Sequence, residues 1–150
     1  MKIDLHSHSF YSDGVLSPSE VVKLASQAGC ELFSLTDHDT TEGSAEAKLE
    51  ADKLNLSLIN GVEISAFWRN MAIHILGLGI DINNDILQTG LEHNQKLRKE
   101  RAEKIALSLW RSGIKDALEK TKSFSKTDML TRTHFAQMLI SEGYCKDMKA

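Results

Sequence analysis

The chain has a single proline, Pro18, among its 150 residues, and only two cysteines, Cys30 and Cys145. The cysteines form no spacing motif, so neither a disulfide framework nor a cysteine-framed zinc finger is expected. No apolar run approaches the roughly 20 residues that cross a bilayer. Met1-Lys2 leads straight into an apolar strand, with no room for a leader, and the expected location is a reduced cytoplasm. A glycine-rich phosphate loop, an internal repeat and a low-complexity tract are absent, as is the Gly-x-Ser-x-Gly elbow of a serine hydrolase. Aromatic residues make up only 6%. Basic residues are also scarce at the start: residues 1–75 hold 11 acids and 5 bases, whereas residues 76–150 hold 10 acids and 13 bases. An acidic first half suits a site that collects cations. The lysines and arginines of the second half interleave with glutamates and read as a solvated helix face rather than a nucleic-acid patch.

What the sequence does contain is organised around Asp4-Leu5-His6-Ser7-His8-Ser9-Phe10-Tyr11-Ser12-Asp13. Residues two apart on an extended chain share a face about 6.5 Å apart, so His6 and His8 can reach one pocket. The turn Ser12-Asp13-Gly14 carries the Asp13 carboxylate back toward them. Ser17-Pro18-Ser19-Glu20 then reads as a capped helix start, with Val21, Val22, Leu24, Ala25 and Ala28 as its buried stripe and Gly29 as its stop. Leu32 to Thr36 reads as a strand ending in Asp37-His38-Asp39-Thr40-Thr41. A helix to about Leu54 follows, with Thr40 or Thr41 as its expected cap. A third strand over Leu56–Val62 ends at Glu63, and a further strand over Ala72–Ile80 contains His74. This alternation predicts an α/β protein with a parallel sheet. His6 and His8, His38, and Glu63 would each follow a different strand, and in parallel sheets such strand ends converge on the functional face. A long helix from Asn83 or Asn84 to Ser112 follows, with Leu87, Leu91, Leu97, Ile105 and Leu109 as its buried stripe. Residues 114–126 read as a surface connection or short helix, and a last short helix ends near Glu142.

Imidazoles and carboxylates without thiolates suit divalent Mn, Fe or Zn. Asp13 and Glu63 can neutralise more than one ion, and paired ions activate water and clamp phosphate in phosphoester hydrolysis. Arg132 offers a planar cation for phosphate, with His134 beside it; a surface arginine and a helix-start histidine are the other reading of this pair.

These motifs, together with Gly61-Val62-Glu63-Ile64-Ser65 and His74-Ile75-Leu76-Gly77, resemble the PHP family, the polymerase and histidinol phosphatase metallophosphoesterases. Arg132-Thr133-His134-Phe135-Ala136 is similar to the branch that includes ribonuclease AM and the 3′,5′-nucleotide bisphosphate phosphatases. The resemblance implies a distorted (β/α)7 barrel with two or three divalent metal ions, manganese first among them. It implies that His6, His8, Asp13, His38, Glu63 and His74 hold metal, the first five of them acting in catalysis. Arg132 and His134 would lie near a substrate phosphate. The substrate would be a small 3′,5′-bisphosphate nucleotide or a short 5′-phosphorylated oligonucleotide trimmed 5′→3′. The family's later Ala-His-Pro and Ser-Asp-x-His segments do not occur here. Residues 1–80 are therefore expected to form the N-terminal part of the barrel, residues 81–150 an inserted helical region, and the closing strands to be absent. An open sheet of this kind would expose an edge able to self-associate. The alternatives are an impaired fragment that only binds metal or a partner, and a histidinol-phosphatase-like enzyme.

Overall fold

The structure is a computed structural model that describes residues 1–148. The first compact unit spans Met1–Asn94. It contains β1 (Ile3–Asp4), α1 (Pro18–Gln27), β2 (Leu32–Phe33), α2 (Ser44–Lys53), β3 (Ser57–Leu58), β4 (Gly61–Trp68) and β5 (Met71–Leu78). The helix α3 begins at Asp85 and runs to Arg111.

The strands β1, β2 and β3 are parallel, in that order, with Ile3 paired to Leu32 and Leu32 to Ser57. Each is short, yet the extended pairing outlasts them. Ser34 N–H donates to the Asp4 carbonyl at 3.0 Å and Thr36 N–H to the Ser7 carbonyl at 2.9 Å. The segment holding His6 and His8 is thereby held beside the one leading to His38.

α1 begins as its sequence indicates. The Ser17 hydroxyl accepts from Glu20 N–H, the Glu20 carboxylate accepts from Ser17 N–H, and Pro18 fills the first turn. It ends in a Schellman arrangement, with Gly29 at φ 78° and Cys30 N–H donating to the Ala25 carbonyl at 2.9 Å. Its buried stripe is narrower than expected. Val22 is fully buried and Val21 and Ala25 pack on the core, but Leu24 and Ala28 face outward, on the side turned away from that core. Phe33, Leu35, Ala47, Ala51 and Leu56 complete this core.

Three further expectations are corrected. α2 is not capped by Thr40 or Thr41: its N-cap is Gly43, which offers no side chain. Thr40 Oγ1 instead accepts from Glu42 N–H, and Thr41 Oγ1 accepts from Gln88 Nε2 at 3.0 Å. The expected strand over Leu56–Val62 splits into β3 and β4, so Glu63 lies inside β4 rather than at a strand end. The sheet is also not parallel throughout, because β4 and β5 form an antiparallel hairpin. Their two-residue connection, Arg69-Asn70, has φ of 47° and 64°, the left-handed pair that such a tight hairpin needs. β4 joins the parallel part through one bridge, His38 to Glu63. Among the described residues β5 pairs only with β4, and Met71, Ile73, Ile75, Leu76 and Leu78 along it are exposed.

The second compact unit, Gln95–Ala150, contains the remainder of α3, α4 (Ala117–Lys122) and α5 (Arg132–Ser141). Phe135 and Met138 of α5 are buried with Ala102 of α3 and Ala117 of α4. The buried side of α3 runs through Arg98 and Ala102; Leu97 is exposed, contrary to expectation, because it lies one residue off that stripe. Thr131 and His134 form a reciprocal cap at the start of α5. Cys30 and Cys145 are free thiols, and no helix among the described residues is long and apolar enough to cross a membrane.

Candidate metal centre

Gly14 makes the first loop possible. A Cβ on it would lie 2.4 Å from the His8 carbonyl oxygen, so only glycine permits this approach. The turn is tied down by Ser12 N–H and Gly14 N–H, which donate to the Ser9 carbonyl at 3.1 and 2.9 Å. Asp13 is thus returned to His8, with Oδ1 3.7 Å from His8 Nδ1.

Glu63 is the centre of the constellation. Its backbone is fixed by the bridge to His38: Glu63 N–H donates to the Asp37 carbonyl at 3.1 Å and Asp39 N–H to the Glu63 carbonyl at 2.9 Å. The residue is only 5% exposed. His6 Nε2 and His8 Nε2 lie 2.9 and 3.0 Å from Oε2, and His38 Nδ1 lies 3.4 Å from the same oxygen. His74 Nδ1 reaches Oε1 at 2.7 Å. The hairpin register explains the last contact. His74 stands opposite Ser65, and Ser65 shares a face with Glu63, so His74 is the diagonal neighbour of Glu63. Burial acts on the Glu63 carboxyl most strongly and would raise its pKa. The hydrogen bond from His6, the charge of His38, the hydrogen bond from His74 and the charge of His8 together outweigh burial and hold it below the ordinary range.

The six expected ligands are therefore brought together. Ligand atoms within 4.8 Å of one another form three overlapping groups: His6, His8 and Glu63; His8, Asp13 and His38; and His38, Glu63 and His74. The donor set fits divalent ions of borderline to hard character: imidazole nitrogens and carboxylate oxygens, all aimed at one small volume with no thiolate among them. Shared members suit neighbouring ions rather than one isolated ion. Arg132 and His134 lie in α5 of the second unit. Arg132 is exposed, whereas His134 is buried and its Nδ1 accepts from Thr131 N–H at 3.2 Å.

Two acids beside His38 were not singled out by sequence reasoning. Asp37, 3% exposed, accepts from Ser9 N–H, Ser9 Oγ and Ser12 Oγ at 2.7, 2.6 and 2.7 Å. Asp39, at φ 52°, accepts from Ser65 N–H and Asn94 Nδ2, both at 2.8 Å. Asn94 also donates to the Ser65 carbonyl at 2.9 Å, which fastens α3 to β4. The available signal was two acids flanking a histidine at the end of an apolar strand. Acids there must be ligands or must be satisfied by hydrogen bonds, because burial of an unpaired carboxylate is costly.

The family model described as PHP domain matches residues 4–145. A 3′,5′-nucleoside bisphosphate phosphatase from Chromobacterium violaceum is 41% identical over 148 residues, 98% of this chain and 52% of its own length. The 5′-3′ exoribonuclease Rnm of Escherichia coli is 40% identical, over 97% of this chain and 50% of its own. The chain thus spans about half the length of these curated relatives. A solved structure of an amidohydrolase from Chromobacterium violaceum, with bound sulfate and no metal, superposes with a TM-score of 0.95 at 41% identity. It covers 99% of this chain and 53% of that one.

Proposed function

The chain belongs to the PHP domain family, and on that premise we propose that it provides part of a divalent-metal centre for hydrolysis of nucleotide phosphate esters. The observation that carries the proposal is the convergence of His6, His8, His38 and His74 on Glu63, with Asp13 beside His8 and His38. Two or three divalent ions, manganese first and iron or zinc next, would supply Lewis acidity toward water and phosphate oxygens when bound. Glu63 faces all four imidazoles and would hold the ions with them, and Asp13 would add a second negative charge. The bridge between His38 and Glu63 keeps both at fixed separation before any ligand arrives, which is the preorganisation that such a centre requires.

The substrate class follows from the relatives. On this reading the whole protein removes the 3′-phosphate of a nucleoside 3′,5′-bisphosphate, or trims short 5′-phosphorylated RNA from its 5′ end, in the cytoplasm. Arg132 and His134 are proposed as phosphate contacts, residues 1–80 as the N-terminal part of the barrel, and residues 81–150 as its helical insertion. The deciding assay is manganese-dependent phosphate release from adenosine 3′,5′-bisphosphate, with Asp13→Ala as control. Release that Asp13→Ala abolishes is expected. Release that survives Asp13→Ala, or a folded protein that neither binds manganese nor releases phosphate, overturns the proposal. Arg132→Ala should raise KM without altering manganese uptake.

A further inference from the structure

The exposed apolar residues of the β4–β5 hairpin divide unequally between its two faces. The register is unbroken from Gly61 opposite Leu78 to Trp68 opposite Met71, with Ser65 facing His74 and Phe67 facing Ala72. Side chains alternate along each strand. Glu63, Ser65 and Phe67 therefore share one face with Ala72, His74 and Leu76, whereas Trp68, Met71, Ile73 and Ile75 lie on the other. Phe67, 72% exposed, thus stands on the face that carries Glu63 and His74, and Trp68 points away from it.

The same register sets how far the ring lies from the candidate ligands. Phe67 is the diagonal neighbour of His74, about 7–8 Å away and within reach of an aromatic side chain. Along β4 it lies about 13 Å beyond Glu63. The centre is open to solvent, for the His74 and His6 side chains are 45% and 52% exposed. A phosphate held beside His74 would have room for its attached nucleoside along the hairpin, over Phe67. Ala72, opposite the ring, offers only a methyl group. No ring or cation among the described residues stacks on Phe67; Trp68 instead carries the Arg69 guanidinium, 5.5 Å from its centroid.

We propose that Phe67 is a specificity-determining residue that stacks on the nucleobase attached to the phosphate at the metal centre. The proposal rests on the metal-centre reading and deepens it. Imidazoles, carboxylates and ions act on a phosphate ester whatever it is attached to, and Phe67 supplies the preference for a nucleotide over a plain sugar phosphate. Every base has a π-face, so the preference is for the presence of a base rather than for one kind.

The test uses the chain loaded with Mn2+ and two probes. One is adenosine 3′,5′-bisphosphate with a methylene group in place of the 3′ ester oxygen, which resists hydrolysis; the other is the same compound without its base. The unsubstituted chain should bind the base-bearing probe more tightly. Phe67→Ala should reduce that preference by about 5- to 150-fold, the value of stacking one base, by weakening the base-bearing probe alone. Phe67→Tyr should retain it, and Mn2+ uptake should be equal in all three proteins. Equal affinities for the two probes in the unsubstituted chain overturn the proposal and leave the metal centre standing. So does an undiminished preference in Phe67→Ala, or an equal loss for both probes. Failure of the unsubstituted chain to take up Mn2+ overturns both readings.

Discussion

Replacement of Gly14 by alanine tests whether the first loop is held by close contact rather than by backbone conformation. The added Cβ would lie 2.4 Å from the His8 carbonyl oxygen, 2.8 Å from its carbon and 2.9 Å from the Ser9 carbonyl carbon. All three are backbone atoms, so no side chain can swing aside. Relief requires the turn to move away from His8, and the turn is tied by hydrogen bonds from Ser12 and Gly14 to Ser9. Forced overpacking costs about 1–3 kcal/mol, and a weakened turn hydrogen bond about 1 kcal/mol more. A loss near 3 kcal/mol corresponds to a fall in Tm of roughly 6–12 °C for a chain of this size. Asp13 sits on the displaced turn, so Mn2+ affinity should fall at least about tenfold. Gly29→Ala is the matched control. Gly29 has φ 78° and open space where a Cβ would go. Its substitution should cost about 1–2 kcal/mol of backbone strain and leave Mn2+ affinity unchanged. Denaturant melts and metal titration of both variants give the answer. Equal Mn2+ affinity in the two variants would refute the reasoning.

Glu63→Gln carries a pH signature in the metal-free protein. The folded carboxyl, held below its ordinary range against the effect of burial, binds its proton less readily than the unfolded one. Its stabilisation is present above the ordinary carboxylate range and is lost as the pH falls through and below it. The stability gap between the unsubstituted protein and Glu63→Gln should therefore narrow from pH 7 to about 3.5, and a constant gap in urea melts would contradict this. Thr131→Ala should destabilise the second unit by about 1 kcal/mol through loss of the α5 cap, measurable as a shifted urea midpoint. Self-association through the exposed β5 edge should rise with concentration in sedimentation and fall in Ile75→Lys, because a charge on an edge strand opposes pairing. An unaltered sedimentation profile would count against that edge.

The candidate ligands were legible because each stands in a distinctive local pattern. His-x-His needs only an extended backbone to share a face, Ser17-Pro18-Ser19-Glu20 writes its own helix cap, and Gly29 and Gly113 end their helices with the positive φ that glycine favours. Such signals act over a few residues, so they survive without knowledge of the fold. The split of the third strand, the antiparallel partner of β4 and the outward position of Leu24 depend on what packs where, and periodicity alone does not contain that information.

Residue type by itself decided the chemistry available: four imidazoles and two carboxylates, with both cysteines outside the donor set. Only the tertiary structure decided their arithmetic. It placed Glu63 inside β4, bridged to His38 and diagonal to His74, and so made one carboxylate the common neighbour of histidines drawn from the β1, β2 and β5 segments. It also assigned Asp37 to hydrogen bonds from Ser9 and Ser12 rather than to the ligand set. Asp37 and Asp39 would share a face on a regular strand, but the left-handed φ of 52° at Asp39 breaks that pattern. Asp37 accepts from Ser9 and Ser12 and Asp39 from Ser65 and Asn94, and those surroundings give each carboxylate its role.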